Sequence, residues 1–500
     1  MQYLIGLDNG GTVTKAAIFD TQGREIAVAS RQTPMLTPKP GYTERDMELL
    51  WQMNCECIRE VLEMAAIDAG DIAGLAIAGH GKGLYLWGKD SKPAYNGIIS
   101  TDNRAWKYPD KWRNDGTFEK LYPKLCQQIV PGQQASLLAW MRDHEPSVYN
   151  NIRWVFSVKD YIRFRLTGEA YSEATDISGS ALLNVRDVTI DRELLEALGI
   201  GEMADCIAPL RYSSDYCGRI TAETAALTGL PEGTPVAGGM FDIDACAIAM
   251  DVTDPEQLCT ITGTWTINEF ISRTPVTGTE IAMNSLYAIP GYYLIEECSP
   301  TGAGNLEWAL EHLRIDAPAG KKLYAYADEL VNAIDPADSD IYFLPFLYGS
   351  NDHPLAKASF IGLTNYHTAA HMLRAVYEGA AFSAKTHIDR LLSVRKAPGA
   401  IRLAGGVAKA PMWVQMYADI LGLPIETVTG VKELGALGCA MAAAVAAGIY
   451  PNYEEAAKAM VKVAAPVHPN PERTEVYRKK YAKYTAVRKA LTDVWSTFEI

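Results

Sequence analysis

The sequence predicts an α/β fold built twice, and three features carry that expectation. Strand-like apolar runs alternate with helical patterns along the chain. Glycine-rich turns follow strands in both halves. From about Gly233 the order of strand, glycine turn and helix starts again, with no short-period repeat and no low-complexity segment. At 500 residues the chain exceeds one core, so two domains of related topology are expected, 1–250 and 251–500, joined near residues 247–255.

The first element is IGLDNGGTVTKAAIFD, Ile5 to Asp20. Asn9-Gly10 is a tight-turn dipeptide between two buried-strand patterns, which predicts a hairpin. Its turn would present backbone N–H groups made accessible by Gly10 and Gly11, beside the hydroxyls of Thr12 and Thr14 and the cation Lys15. That set suits a phosphate. Asp8 would repel an anion unless a metal ion such as Mg²⁺ lay between them. The same residues also fit an ordinary hairpin with no ligand. They do not form a Walker A loop, because Lys15 follows a hairpin and does not open a helix.

Further along, LAIAGHGKGLYLWG (Leu75 to Gly88) reads as strand, glycine turn and strand, and SLLAWMRDHEP from Ser136 as a helix stopped by proline. TPVAGGMFDIDACAIAM (Thr234 to Met250) is a strand, a glycine turn bearing an acid, and a helix. After the polar connector DVTDPEQ, the run CTITGTWTINEF (Cys259 to Phe270) repeats the opening theme around Gly263 and Thr264. IRLAGGVAKAPMWVQMYADILGLPIETV (Ile401 to Val428) is strand, double glycine, helix and strand. GALGCAMAAAVAAGIY from Gly435 suits a closely packed buried helix, and the residues after Pro469 a long amphipathic helix with a docking face.

A formal net charge of −14 argues against nucleic acid or an anionic membrane as the main partner, which leaves small molecules. Nine scattered cysteines without a C-x-x-C pair support neither a disulfide framework nor a zinc ribbon, and Cys55 and Cys57 read as packing residues. A cytoplasmic location is expected, with no signal peptide and no membrane span.

Three glycine turns after strands share one explanation: backbone N–H groups and helix N-termini gathered around a polyphosphate. Asp8 to Thr12 would hold metal and terminal phosphates, Gly263 and Thr264 phosphate from the other domain, and Gly405-Gly406 would let backbone approach the nucleoside. With these turns in place, the chain resembles the FGGY carbohydrate kinases over nearly its whole length. The resemblance rests on A-S-F-I-G-L (Ala358 to Leu363) followed by H-M-L-R-A-V-Y-E (His371 to Glu378), on the stretch Gly405 to Pro424, and on E-E-C-S-P-T-G-A-G-N-L-E-W from Glu296 to Trp308. Two departures stand out: Leu137 where the family usually has a lysine before its tryptophan, here Trp140, and Ala410 where many members have Asn or Ser. Within the family, PGYTERDMELLWQ, GKGLYL, SPTGAGNLEW and FLPFLYGSN resemble the L-xylulokinase type more than the D-xylulose, glycerol or gluconate kinases.

The resemblance implies two duplicated ribonuclease H-like domains of the actin, hexokinase and Hsp70 type with an interdomain cleft. It implies ATP and Mg²⁺ as cofactors and a sugar as the partner; a homodimer stays open. Asp242 matches the family's catalytic base, with Asp244 as the competing acid. Nucleotide contacts fall to Asp8, Gly10, Gly11, Thr12, Lys15, Gly263, Thr264, Gly302, Gly304, Gly405 and Gly406, with Asp8 also on the metal. His80, Lys82, Asp102 and Asp242 would meet the sugar, and Arg104 would support Asp102. The acceptor expected is the terminal hydroxyl of L-xylulose. Another ketose, the sugar acid 3-keto-L-gulonate and a polyol such as erythritol stay open, as does a nucleotide-gated binding protein without sugar chemistry. A hinge is expected in the connector Met250 to Leu258.

Overall fold

The opening stretch folds as a hairpin in a computed structural model that describes residues 1–263, 265–278, 281 and 283–498. Strand Tyr3–Asn9 pairs antiparallel with Val13–Asp20, and the register sets Asp8 opposite Lys15 and Asn9 opposite Thr14. Glu25–Gln32 adds an antiparallel third strand. On the other side of the first strand, Ile72–Gly79 runs parallel to it, followed by Pro235–Ala237 and Tyr216–Arg219. Leu4, Ile5, Leu7 and Ala16 to Phe19 are buried. Central strands covered on both faces carry such near-continuous apolar runs rather than alternation.

The second sheet repeats this plan. Leu258–Thr262 and Thr266–Ser272 form an antiparallel hairpin, with Ile401–Gly405 parallel to the first of these and Ile425–Thr427 parallel beyond it. Tyr293–Ser299 lies next to Thr266–Ser272 in the strand order. Each sheet therefore has its hairpin on the antiparallel side and its crossover strands on the parallel side, which is the duplication the sequence predicts.

The chain divides into two compact units, one of residues 1–253, 271–295 and 430–462, the other of 254–270, 296–429 and 463–500. The expected partition at 250 differs from this because two later segments return to the first unit, so the chain passes between units in more places than the single connector expected as a hinge. One returning segment carries the helix Leu434–Ala446, and the reason for its return is steric. A Cβ on Gly6 would lie 1.8 Å from the Ala436 carbonyl oxygen, and one on Gly438 would lie 2.1 Å from that of Ala245. The helix thus meets the first strand backbone to backbone on one side and the helix Asp242–Ala249 on another. Only glycine tolerates such approaches.

Other expectations hold. The Ser136 segment lies in the helix Gln134–His144, ahead of Pro146. The tail forms the helix Pro471–Trp495, capped by Asn470 and burying Tyr477, Lys480 and Tyr484. Lys480 and Arg374 both pair with Glu378, which gives that acid a structural role in seating the tail. Cys55 and Cys57 are buried in packing. No helix among the described residues is long and apolar enough to cross a membrane.

The close approach at Gly438 makes a prediction. Gly438→Ala forces the two helices apart and lowers stability by ~1–3 kcal/mol or more, the range of an overpacked core. Gly11→Ala, which meets nothing within 4 Å, leaves urea unfolding near that of the parent. Equal midpoints for the two variants contradict the packing account.

Candidate active site

Asp8 is the penultimate residue of the first strand, half-buried, just before the hairpin turn. Gly10 N–H donates to the Val13 carbonyl at 3.1 Å and closes the turn. Arg45, itself buried, donates to the carbonyl of Gly10 at 3.2 Å and to that of Gly11. With those carbonyls drawn inward, Gly11 and Thr12 stand exposed. The turn therefore offers backbone donors to solvent, as a phosphate requires.

Two expectations about this turn change. Thr14 is fully buried and donates to Asn9 Oδ1 at 3.0 Å, inside an Asn9–Asn54 amide pair, so its hydroxyl faces the core. Strand alternation explains it: Thr12 precedes the strand, whereas Thr14 lies within it on the inward face. Lys15 also has a partner, its Nζ lying 2.6 Å from Glu433 Oε2. Burial pulls that ammonium down, but the hydrogen bond and charge of Glu433 outweigh it and leave its pKa raised.

Sequence reasoning missed Glu433 and Gly435. A Cβ on Gly435 would lie 2.8 Å from Asp8 Oδ2, so the carboxylate rests against the first turn of the Leu434–Ala446 helix, where a helix dipole favours an anion. The small-residue run G-A-L-G was the available signal, since it marks a helix built for close approach. Even so, burial pushes the Asp8 carboxyl up to about 6, with Lys15 lowering it and Glu433 raising it.

Asp242 opens the helix Asp242–Ala249, and Phe241 before it lies in a short strand parallel to the end of Ile72–Gly79. Burial, then the charges of Asp8 and Asp176, raise the Asp242 carboxyl well above the ordinary aspartate value; Lys82 acts in the opposite sense. Asp244, by contrast, is fully buried and accepts the Ala288 N–H at 3.0 Å, a holding role rather than that of a base.

Lys82 adopts a left-handed backbone with φ +64, and its N–H donates to Asp176 Oδ1 at 3.3 Å. Its ammonium stands 5.8 Å above the Phe241 ring. Gly81 is required beside it, because a Cβ there would strike that ring. His80 is buried, with Nδ1 3.3 Å from the Gly81 carbonyl and Nε2 3.0 Å from the Tyr85 hydroxyl. A carbonyl only accepts, so Nδ1 carries the proton and Nε2 accepts from Tyr85. Burial and the charges of Arg45 and Lys82 hold the imidazole down at about 3, hence neutral. Both ring nitrogens have hydrogen-bond partners, so His80 braces the turn.

Asp102 is similarly occupied. It accepts from Thr43 N–H at 2.7 Å, Arg104 N–H at 2.9 Å, and the Arg104 guanidinium through both oxygens. Arg104 continues to Glu44 at 2.7 Å and lies 4.1 Å from the Tyr42 ring centre and 5.1 Å from that of Trp140. Arg104 supports Asp102 as the sequence implies, and the pair staples a loop. Leu137, at the position of the family lysine, is buried.

In the second unit, Gly263 accepts the Ala303 N–H at 2.8 Å, just before the helix Gly304–His312, with Gly302 in the same turn. Thr264 lies outside the described residues. Gly405 has φ +90 and would strike the Thr262 carbonyl if it bore a Cβ, while Gly406 N–H donates to that carbonyl at 2.9 Å. Beside Gly406 opens a largely apolar cavity of about 560 Å³, with Ala303, Leu306, Tyr324, Ala410 and Trp413 on its walls. Tyr377 donates to Asp328 at 3.0 Å in the same wall. Ala410 makes that wall apolar where many FGGY members have a polar side chain.

Comparison with known proteins agrees with these features. Residues 3–249 match the N-terminal domain of the FGGY family of carbohydrate kinases, and residues 258–447 its C-terminal domain. The L-xylulose/3-keto-L-gulonate kinase of Escherichia coli (strain K12) is 38% identical over 491 residues, 98% of this chain and 97% of its own length. A probable L-xylulose kinase of Pasteurella multocida (strain Pm70) is 35% identical, over 98% of this chain and 99% of its own. Among solved structures, a ligand-bound xylulose kinase from Lactobacillus acidophilus superposes with a TM-score of 0.91 at 26% identity, covering 100% of both chains.

The raised Asp8 carboxyl makes a stability prediction. A carboxyl whose folded pKa lies above its unfolded value of 3.8 destabilises the fold once ionised, so its penalty grows as pH rises from there to about 6 and is full above that. In metal-free buffer, Asp8→Asn should therefore raise stability near neutral pH by roughly 1–3 kcal/mol. The gain should vanish as pH falls to the ordinary carboxylate range. Thermal melts across that range check it, and a pH-independent gain refutes it.

Proposed function

Because the chain belongs to the FGGY family of carbohydrate kinases and has that family's two-domain actin/hexokinase-type fold, we propose that it phosphorylates the terminal hydroxyl of a ketopentose, L-xylulose foremost. The chain is a phosphotransferase of a family that uses ATP, which removes the alternative of a binding protein without chemistry. One observation carries the residue assignment. Asp242 stands half-buried at the start of its helix, its carboxyl raised by burial and by neighbouring acids. A base with a raised pKa accepts a proton more readily at neutral pH.

In this reading the sugar hydroxyl oxygen bonds to the γ-phosphorus of ATP as the bond to the ADP oxygen breaks, and Asp242 takes the hydroxyl proton. The Gly11 and Thr12 N–H groups meet phosphate oxygens. Gly405 and Gly406 allow close approach of the nucleoside, which the apolar cavity beside them fits in size and character. Among the described residues no group of three metal-ligating side chains exists. Mg²⁺ keeps several waters and takes one or two carboxylates plus substrate phosphates. Asp8 is the carboxylate that would hold it, and bound there the ion would offset phosphate charge.

Lys82 bears on the choice of sugar. Among the described residues its ammonium forms no ion pair, and it lies close enough to Asp242 to oppose that acid's raised pKa. A cation so placed suits a hydroxyl-rich ketose and also the carboxylate of a sugar acid such as 3-keto-L-gulonate, as the name of the Escherichia coli relative indicates for that enzyme.

Asp242→Asn keeps the shape of the side chain, so nucleotide and sugar binding should persist while turnover falls by at least about a hundredfold. ADP-release kinetics measure both, and near-parental turnover discards Asp242 as the base. Across a panel of ketoses, polyols and sugar acids, Lys82→Met should raise KM by about tenfold or more for an acid substrate, and far less for L-xylulose. Equal effects on both would remove Lys82 from carboxylate recognition.

A further inference from the structure

The helix Ala174–Ser178 carries two adjacent side chains that reach into the site without facing it. Thr175 Oγ1 accepts the backbone N–H of Phe241 at 2.9 Å, and Asp176 Oδ1 accepts that of Lys82 at 3.3 Å. Phe241 immediately precedes Asp242. The hydroxyl proton of Thr175 is committed elsewhere, to Glu173 Oε2 at 2.7 Å, which turns the oxygen lone pairs toward Phe241.

Behind Thr175 lies a buried charge network with little freedom. Glu173 also accepts from the Thr175 N–H at 3.0 Å and from the Ser213 hydroxyl at 3.1 Å. Lys159 Nζ lies 3.3 Å from Glu173, 3.4 Å from Asp176 and 3.1 Å from Asp160. Arg163 pairs with Asp160 at 2.8 Å and donates to the Gly238 carbonyl at 2.6 Å. The segment from Gly238 to Phe241 is thus held at its first carbonyl by Arg163 and at its last N–H by Thr175. The helix that follows has no side-chain cap of its own.

We propose that Thr175 is a positioning residue for phosphoryl transfer, fixing the backbone that aims Asp242 through the Phe241 N–H; this rests on Asp242 being the base. Thr175 does not touch the reacting atoms. Its contribution is orientation, and a small misplacement of a base can lower turnover by up to about a hundredfold without weakening substrate binding.

Thr175→Val keeps the shape and removes the acceptor, so kcat should fall by about tenfold or more while KM for nucleotide and sugar stays within about threefold. Thr175→Ser restores the hydroxyl and should recover most of kcat. Thr175→Cys, a poorer acceptor of similar size, should fall between and serves if the valine variant does not fold. A role confined to stability would lower the melting temperature and leave kcat unchanged. Near-parental kcat in a folded valine or cysteine variant overturns the proposal, as does a loss that serine fails to rescue. Asp242→Asn measured alongside separates the outcomes: if it is inactive while Thr175→Val is unimpaired, the base stands and the positioning role falls.

Discussion

The site of the first unit depends on two places where backbones touch with no side chain between them. Gly6 against Ala436, and Gly438 against Ala245, set the helix Leu434–Ala446 on the first strand and on the Asp242 helix. Asp8 lies next to the end of the first strand, the helix Asp242–Ala249 begins with Asp242, and Gly435 in the first turn of the packed helix lies against Asp8. A methyl group at either contact would move these elements by more than hydrogen-bonding geometry tolerates. The alanine-rich composition of this helix, unremarkable as a pattern, is the means by which two acids from distant parts of the chain act on each other electrostatically.

Around that junction, several buried polar groups aim backbone. Arg45 holds the Gly10 and Gly11 carbonyls, Arg163 the Gly238 carbonyl, Thr175 the Phe241 N–H and Asp176 the Lys82 N–H. Buried charges are weak sources of stability, because desolvation offsets their attraction. Their value here is geometric, since each fixes a turn whose own residues are glycine or left-handed and would otherwise sample several conformations.

Much of the fold was legible because it is local. The hairpin, its repetition around Gly263, the glycine turns and the terminal helix follow from periodicity and turn chemistry within short windows. The place of Asp242 at the start of a helix was legible from the strand and double glycine before it. The partnering of side chains was not. Thr14 looked like Thr12 until the strand register placed it inward, and nothing in the sequence showed that His80 meets Tyr85 or that Asp102 meets Thr43 and Arg104. The return of residues 430–462 to the first unit depends on contacts across some four hundred positions, such as Lys15 with Glu433. No window of sequence contains both members.

The two acids that carry the proposed chemistry both have carboxyls raised by burial. Asp176 and Glu173 share Lys159, and Glu378 has Arg374 and Lys480. Asp8 and Asp242 have no such cation bound to them among the described residues, and the charge of Asp8 raises the carboxyl of Asp242 further. The nearest cations are either committed, as Lys15 is to Glu433, or held back by a constrained turn, as Lys82 is. Stability alone would pair these carboxylates or replace them. Their retention in an unpaired state is understandable if the missing positive charge and the missing proton arrive with the substrates, so that the strain of the free protein is relieved by ligand binding and turnover.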